Sequence, residues 1–245
     1  MNNPALVRIS QLFLIFICLG ALNLTPATRR RPPGGGRIGV VIDERLSALR
    51  ATPEFSGVLV RRISRGVLVS INGARTNREG VVFYRISVTR RTGGWIQREA
   101  VASPTRSGDD ARLLSLIQGS EEFDRIVRAR LFLDHFRMSP LRPEVLSIYA
   151  KAAEDAATHL SQEAIRRLDE REMSAGGAPV LSYFLNYNGL DRYNRQGITF
   201  LFDAHKRRFR YDGEGWRELV YRYPKSPEAV VARNRLAPVG GGPKR

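Results

Sequence analysis

His135, His159 and His205 are the only histidines of this 245-residue chain, and no two stand at the short helical spacing that makes a metal site. None pairs with a candidate nucleophile. The single cysteine, Cys18, lies in an apolar run near the N-terminus, so a chain trimmed beyond it holds no thiol nucleophile, disulfide or cysteine-ligated metal. The carboxylates of "EEFD" (121–124) and "LDEREM" (168–173) are interleaved with arginines on helix-like segments, where ion pairing explains them better than acid–base work. "PPGGGR" precedes no helix and so is not a phosphate loop. These residues predict no catalytic centre, no metal and no cofactor.

What remains is the chemistry of binding. Arg50, Arg75 and Arg78 could meet carboxylates at the rim of a shallow groove lined by Tyr84 and Trp95. The competing expectation for Trp95 is purely structural, its ring covering one end of a small barrel, with Gly93 and Gly94 forming a tight turn before it. A second cluster, "LSYFLNYNGLDRYNRQG" (181–197), sets Tyr187 and Tyr193 among asparagines that could contact a sugar or a partner. Core packing of its aromatics and turns made by its amides are the plainer expectation. Tyr221 is a further candidate partner contact on a helical segment.

The formal charge is +16, from 40 Lys and Arg against 24 Asp and Glu. Such an excess favours acidic partners, including nucleic acid, anionic lipid and wall polymers. The arginines are spread along the chain, without the long basic stripe that nucleic-acid binding would favour.

Arg8 is followed by "ISQLFLIFICLGALNL" (9–24) and the small-residue stretch "TPA". That pattern predicts a signal peptide over 1–27, cut after Ala27, or an uncleaved membrane anchor over 9–24. Either places the rest of the chain in the periplasm or another extracytoplasmic space. "RRRPPGGGR" supplies a linker over 28–36.

From Arg37 to Ser103, short β-branched runs separated by turn formers predict several strands. "LSALRATP", "GVLVRRISRGVLVSING", "VVFYRISV" and "TGGWIQREAV" follow one another in the order and spacing of the bacterial SH3-like family, which residues 37–103 resemble. The resemblance implies a small β-barrel, and exported members of that family often associate with peptidoglycan or other envelope polymers.

After the breaker "SPTRSGDD" (103–110) the period becomes helical. Ser120 is placed to cap "EEFDRIVRARLFLDHF"; Pro143 suits the first turn of a helix that could run through Met173. Ile198, Phe200 and Phe202 alternate and are answered by Phe209 and Tyr211, predicting a β-hairpin over 198–213. "YPKSPEAVVARNRL" (223–236) resembles the second half of a tetratricopeptide repeat of the bacterial envelope type, and Phe136, Ser139 and Pro140 form a looser copy. The expected fold is therefore α+β: an SH3-like barrel, then a mostly helical tetratricopeptide-like domain (109–236) with an inserted β-hairpin, and a disordered tail (237–245). The expected function is a non-catalytic envelope protein binding peptidoglycan or a partner protein. The alternatives are a scaffold acting through its helices, with a purely structural barrel, and, least favoured, a nucleic-acid binder.

Overall fold

The β-branched runs of the first half form seven strands: β1 (Arg37–Val41), β2 (Ala48–Arg50), β3 (Leu59–Arg62), β4 (Leu68–Thr76), β5 (Val82–Ser87), β6 (Gly93–Gln97) and β7 (Val101–Ala102). They make one antiparallel sheet in the order β3-β2-β6-β5-β4-β1-β7. This computed structural model describes residues 35–237. The expected leader, the linker before Gly35 and the tail after Ala237 lie outside the described residues.

The expected barrel is corrected here, because the ladder stays open with β3 and β7 as its edges. The physical reason lies in β1. Its successive residues point to opposite faces, so Val41 packs with Leu49, Val69, Ile86 and Ile96 inside the curled sheet while Val40 packs with the helices. Ile42 and Ala102 join Val40 on the helical side. A strand buried on both faces reads as an unbroken apolar run, which is what "GVVI" is.

The second half comprises α1 (Asp109–Gln118), α2 (Glu122–His135), α3 (Arg142–Arg167), α4 (Glu170–Ala175), α5 (Val180–Leu185), α6 (Asp191–Asn194), the hairpin of β8 (Phe200–Asp203) and β9 (Arg208–Tyr211), α7 (Glu214–Arg222) and α8 (Pro227–Leu236). The molecule is thus α+β. In the hairpin, Phe200 faces Tyr211 and Phe202 faces Phe209, and the Phe209 N–H donates to the Ser161 hydroxyl of α3. Ser226 caps α8 by accepting from the Ala229 N–H, and fully buried Ala229 and Ala232 let α7 and α8 pack closely.

Three local expectations are corrected. α1 begins inside the stretch read as a breaker. Ser120 does not cap α2: its hydroxyl donates to the Leu116 carbonyl and accepts from Arg128. α3 stops at Arg167 because Asp169 caps the next helix, accepting from the N–H groups of Arg171 and Glu172.

Polar contacts fasten the sheet to the helices at two places. At the first, buried Asp109 accepts from the Ser103 N–H (2.8 Å), and the Ser103 hydroxyl donates to the Ile38 carbonyl of β1 (2.7 Å). Arg112, ion-paired with Asp109 at 3.3 Å, donates to the carbonyls of Glu99 (2.8 Å) and Val101 (2.6 Å). At the second, Arg65 before β4 grips Asp124 of α2 with two bonds, at 3.0 and 3.2 Å.

Replacing Asp109 with alanine strands the Ser103 N–H and removes the ion-pair partner of Arg112 and, at 3.7 Å, of Arg106, and should cost about 3 kcal/mol of stability. Denaturant unfolding followed at Trp95, in the sheet, and Trp216, in the helical core, should give coincident transitions in wild type because the two halves share apolar residues.

The Asp124 carboxyl is held below the usual carboxylate range chiefly by its hydrogen bond from Arg65, and that of Asp43 by its hydrogen bond from Arg45. Their stabilisation is complete above the unfolded carboxylate value of about 4 and disappears as pH falls through the lower folded values. The denaturation midpoint should therefore be insensitive to these groups from neutral pH to about 5 and should drop below about 4. Asp124→Asn should make that acid drop shallower while lowering the neutral-pH midpoint.

Candidate functional site

The pleat of β5 decides what the sheet offers to solvent. Val82, Tyr84 and Ile86 point inward, leaving Phe83 and Arg85 on the outer face. Register then sets Arg85 opposite Trp95 on β6, and Trp95 opposite Arg50 on β2. On the other side, Gly73 of β4 faces Arg85, and Arg75 faces Phe83. One outer face thus collects Arg50, Arg75, Arg85 and Trp95, around a Phe83 that is itself buried at 1% exposure.

Trp95 is half-buried there, with the Arg85 guanidinium carbon 5.9 Å from its ring centroid, within cation–π range. The expectation that Trp95 plugs the sheet interior is corrected: its neighbour Ile96 fills that role and is fully buried. Gly93 and Gly94 are strand residues, and the turn precedes them, closed by the Val88 N–H on the Thr92 carbonyl at 2.8 Å. What requires glycine at 94 is close approach of β2, since a Cβ there would stand 2.5 Å from the Arg50 carbonyl oxygen.

The loop between β2 and β3 forms one wall of the face. Phe55 packs edge-on to Phe83 with centroids 5.5 Å apart, and Arg50 donates to the Gly57 carbonyl at 2.8 Å. Arg50 is thereby committed to holding the loop. Arg75 and Arg85 are exposed and form no ion pair among the described residues; the same is true of Arg61 and Arg62 on edge strand β3. Beside them Val58, Leu59 and Val60 are exposed, so the cationic face borders an apolar edge.

The structure separates the other sequence-derived candidates. Tyr84 is only 4% exposed, on the inward face, where its hydroxyl accepts from Arg106 at 2.7 Å. It does not line a groove with Trp95, because the strand pleat turns the two away from each other. Arg78 is exposed at the tip of the β4–β5 turn, which Asn77 fixes by accepting from the Val81 N–H. Tyr187 and Tyr193 are buried in the helical core, so neither offers a partner its ring. Tyr193 stands edge-on to Phe123 and Phe200, at 5.1 and 5.4 Å. Tyr221, by contrast, is 86% exposed on α7.

Arg85, Phe83 and Phe55 were the missed contributors. In "VVFYRISV" the set Val82, Tyr84, Ile86, Val88 is wholly apolar, whereas the intervening set contains Arg85 and Ser87; that contrast marks the outer face. Among the described residues no group of three or more histidine, cysteine, aspartate or glutamate side chains could hold a metal ion. No described helix is long and apolar enough to cross a membrane. No protein-family model matches the chain, and neither does any curated protein or solved structure.

Gly94→Ala should lower stability by about 1–3 kcal/mol, since strand β2 would have to move. Gly73→Ala, where a Cβ meets nothing closer than 4.0 Å, should stay within about 0.5 kcal/mol of wild type in the same denaturant titration.

Proposed function

We propose that the protein is an exported, non-catalytic binding protein of the bacterial envelope, in which residues 37–103 are an SH3-like module and 109–236 a tetratricopeptide-like domain. The observation carrying this reading is the outer sheet face, where Arg75 and Arg85 lack carboxylate partners among the described residues and Arg85 stands beside Trp95. Guanidinium forks match carboxylates, and an indole face stacks on a sugar ring. Peptidoglycan offers both groups in repeating order. The apolar run at 9–24 supports delivery to the compartment where that polymer lies.

A second reading is favoured by a different surface. Tyr221, Val230 and Val231 are exposed on the last two helices, which suits a protein-binding scaffold with a structural sheet.

Full-length protein should sediment with purified peptidoglycan, and the double substitution Arg75→Ser/Arg85→Ser should weaken that association about tenfold. Absence of wild-type sedimentation, or an unchanged double variant, overturns the wall-binding assignment. Capture of a partner protein that is lost on Tyr221→Ala and retained in the arginine double variant would select the scaffold. Equal retention on duplex DNA, falling steeply with added salt, would select the electrostatic nucleic-acid reading.

A further inference from the structure

A cavity of about 400 Å³ opens between the end of α2, the start of α3 and the start of α7, well removed in sequence from the sheet face. Arg142 lies in its lining and is only 8% exposed. Its Nε donates to the Tyr223 hydroxyl (3.0 Å) and its Nη1 to the Leu133 carbonyl (2.7 Å). Neither acceptor carries charge. Among the described residues Arg142 has no ion pair, and its Nη2 has no hydrogen-bond acceptor. The Nη2 is not sealed from solvent, so it faces the cavity, where water or an anionic group can reach it.

Two phenols extend the donor set. The Tyr223 hydroxyl accepts from Arg142, and the Tyr211 hydroxyl accepts from the Gly215 N–H at 2.7 Å. Each has its accepting side occupied and donates to nothing among the described residues, so each proton is available to an acceptor in the cavity. Burial pushes the Tyr211 phenol well above its ordinary range and that of neighbouring Tyr149 up to about 12, which keeps both protonated at neutral pH.

The lining also contains acids. Asp134 pairs with Arg130 at 3.2 Å and Glu218 with Arg222 at 3.4 Å, whereas Glu214 has no ion pair among the described residues. A site for a simple anion would exclude carboxylates; a site with both signs suits a ligand with both. We propose that the cavity binds a small zwitterion, a free α-amino acid or a short peptide, with its carboxylate on Arg142 Nη2 and the Tyr211 and Tyr223 hydroxyls and its ammonium toward Glu214 and Glu218. The site is independent of the sheet face and of any wall binding there.

Calorimetric titration of the full-length protein with glycine, triglycine, glycinamide, triglycinamide and N-acetyltriglycine tests the assignment. Glycine or triglycine should bind, and amidation or acetylation should weaken binding about tenfold. Preference for glycine identifies a free amino acid, and preference for triglycine a peptide. Tyr223→Phe and Arg142→Gln should each reduce affinity, Glu214→Gln should reduce it for ligands bearing an ammonium, and Arg75→Ser/Arg85→Ser should not change it. If Arg142→Gln fails to fold, as judged by circular dichroism, Tyr223→Phe decides. Absence of binding at millimolar concentration overturns the proposal. So does equal affinity for the amides, an unaltered Tyr223→Phe variant, or loss of binding in the sheet-face variant.

Discussion

The Asp109 carboxylate is the contact on which the joining of sheet and helices depends. It accepts the first backbone N–H beyond β7 and is paired with the arginine that also holds the Glu99 and Val101 carbonyls. The chain leaves the last strand of the seven-stranded sheet and enters its first α-helix within a handful of residues, so several backbone groups lose their ladder partners while already out of water. One carboxylate and one guanidinium satisfy them together. Without that pair the β7 edge would have no fixed relation to α1, and the apolar residues exposed on the helical side of β1 would lack a cover.

That constraint explains why the sheet is open. Val40, Ile42 and Ala102 need apolar neighbours, and the curled sheet cannot supply them because their side chains leave from its outer surface. Helices α1, α2 and α3 do so. The aromatic residues divide accordingly: Phe132, Phe184, Tyr193 and Trp216 belong to the helical core, whereas the sheet interior is filled mainly by Val, Leu and Ile around the single Tyr84. An inner space lined by such residues has no need of an indole, and Trp95 is left on the outer face beside Arg85.

Much of this was legible in the sequence where pattern and packing agree. The β8–β9 hairpin was, because Phe200 and Phe202 on one strand answer Phe209 and Tyr211 on the other, and both strands pack into the helical core, β9 against α3 and β8 against Phe184 and Tyr193. The cap at Ser226 and the close packing at Ala229 and Ala232 were legible for the same reason. The outer sheet face was legible only in part. Arg50, Arg75 and Trp95 do share one face, whereas Tyr84 turns inward and Arg85 stands outward in its place, because a shift of one residue exchanges the two faces of a strand and "FYR" offers an aromatic to either. α1 was missed because its first turn is acidic and follows glycine and serine, residues that also mark loops. The open sheet could not be read from local pattern, since closure depends on what covers β1 from elsewhere in the chain.

The charge of the protein has a similar property. Its +16 formal charge treats all arginines alike, whereas the fold sorts them by what they face. Arg65 and Arg112 meet carboxylates and carbonyls at the sheet–helix boundary, and Arg128 is buried against Ser120 and Asp124; their charges are screened within the structure. Arg75 and Arg85 meet no carboxylate among the described residues and stand on one face with an indole between them and β2. Arg142 belongs to neither class, since it is buried like the structural arginines and yet unpaired like the exposed ones. A surface arginine without a partner is stabilised by water, so it signals a binding face only in the company of others. Arg142 turns its one free nitrogen toward a cavity rather than toward open surface, and that cavity leaves room for a ligand to replace the water there.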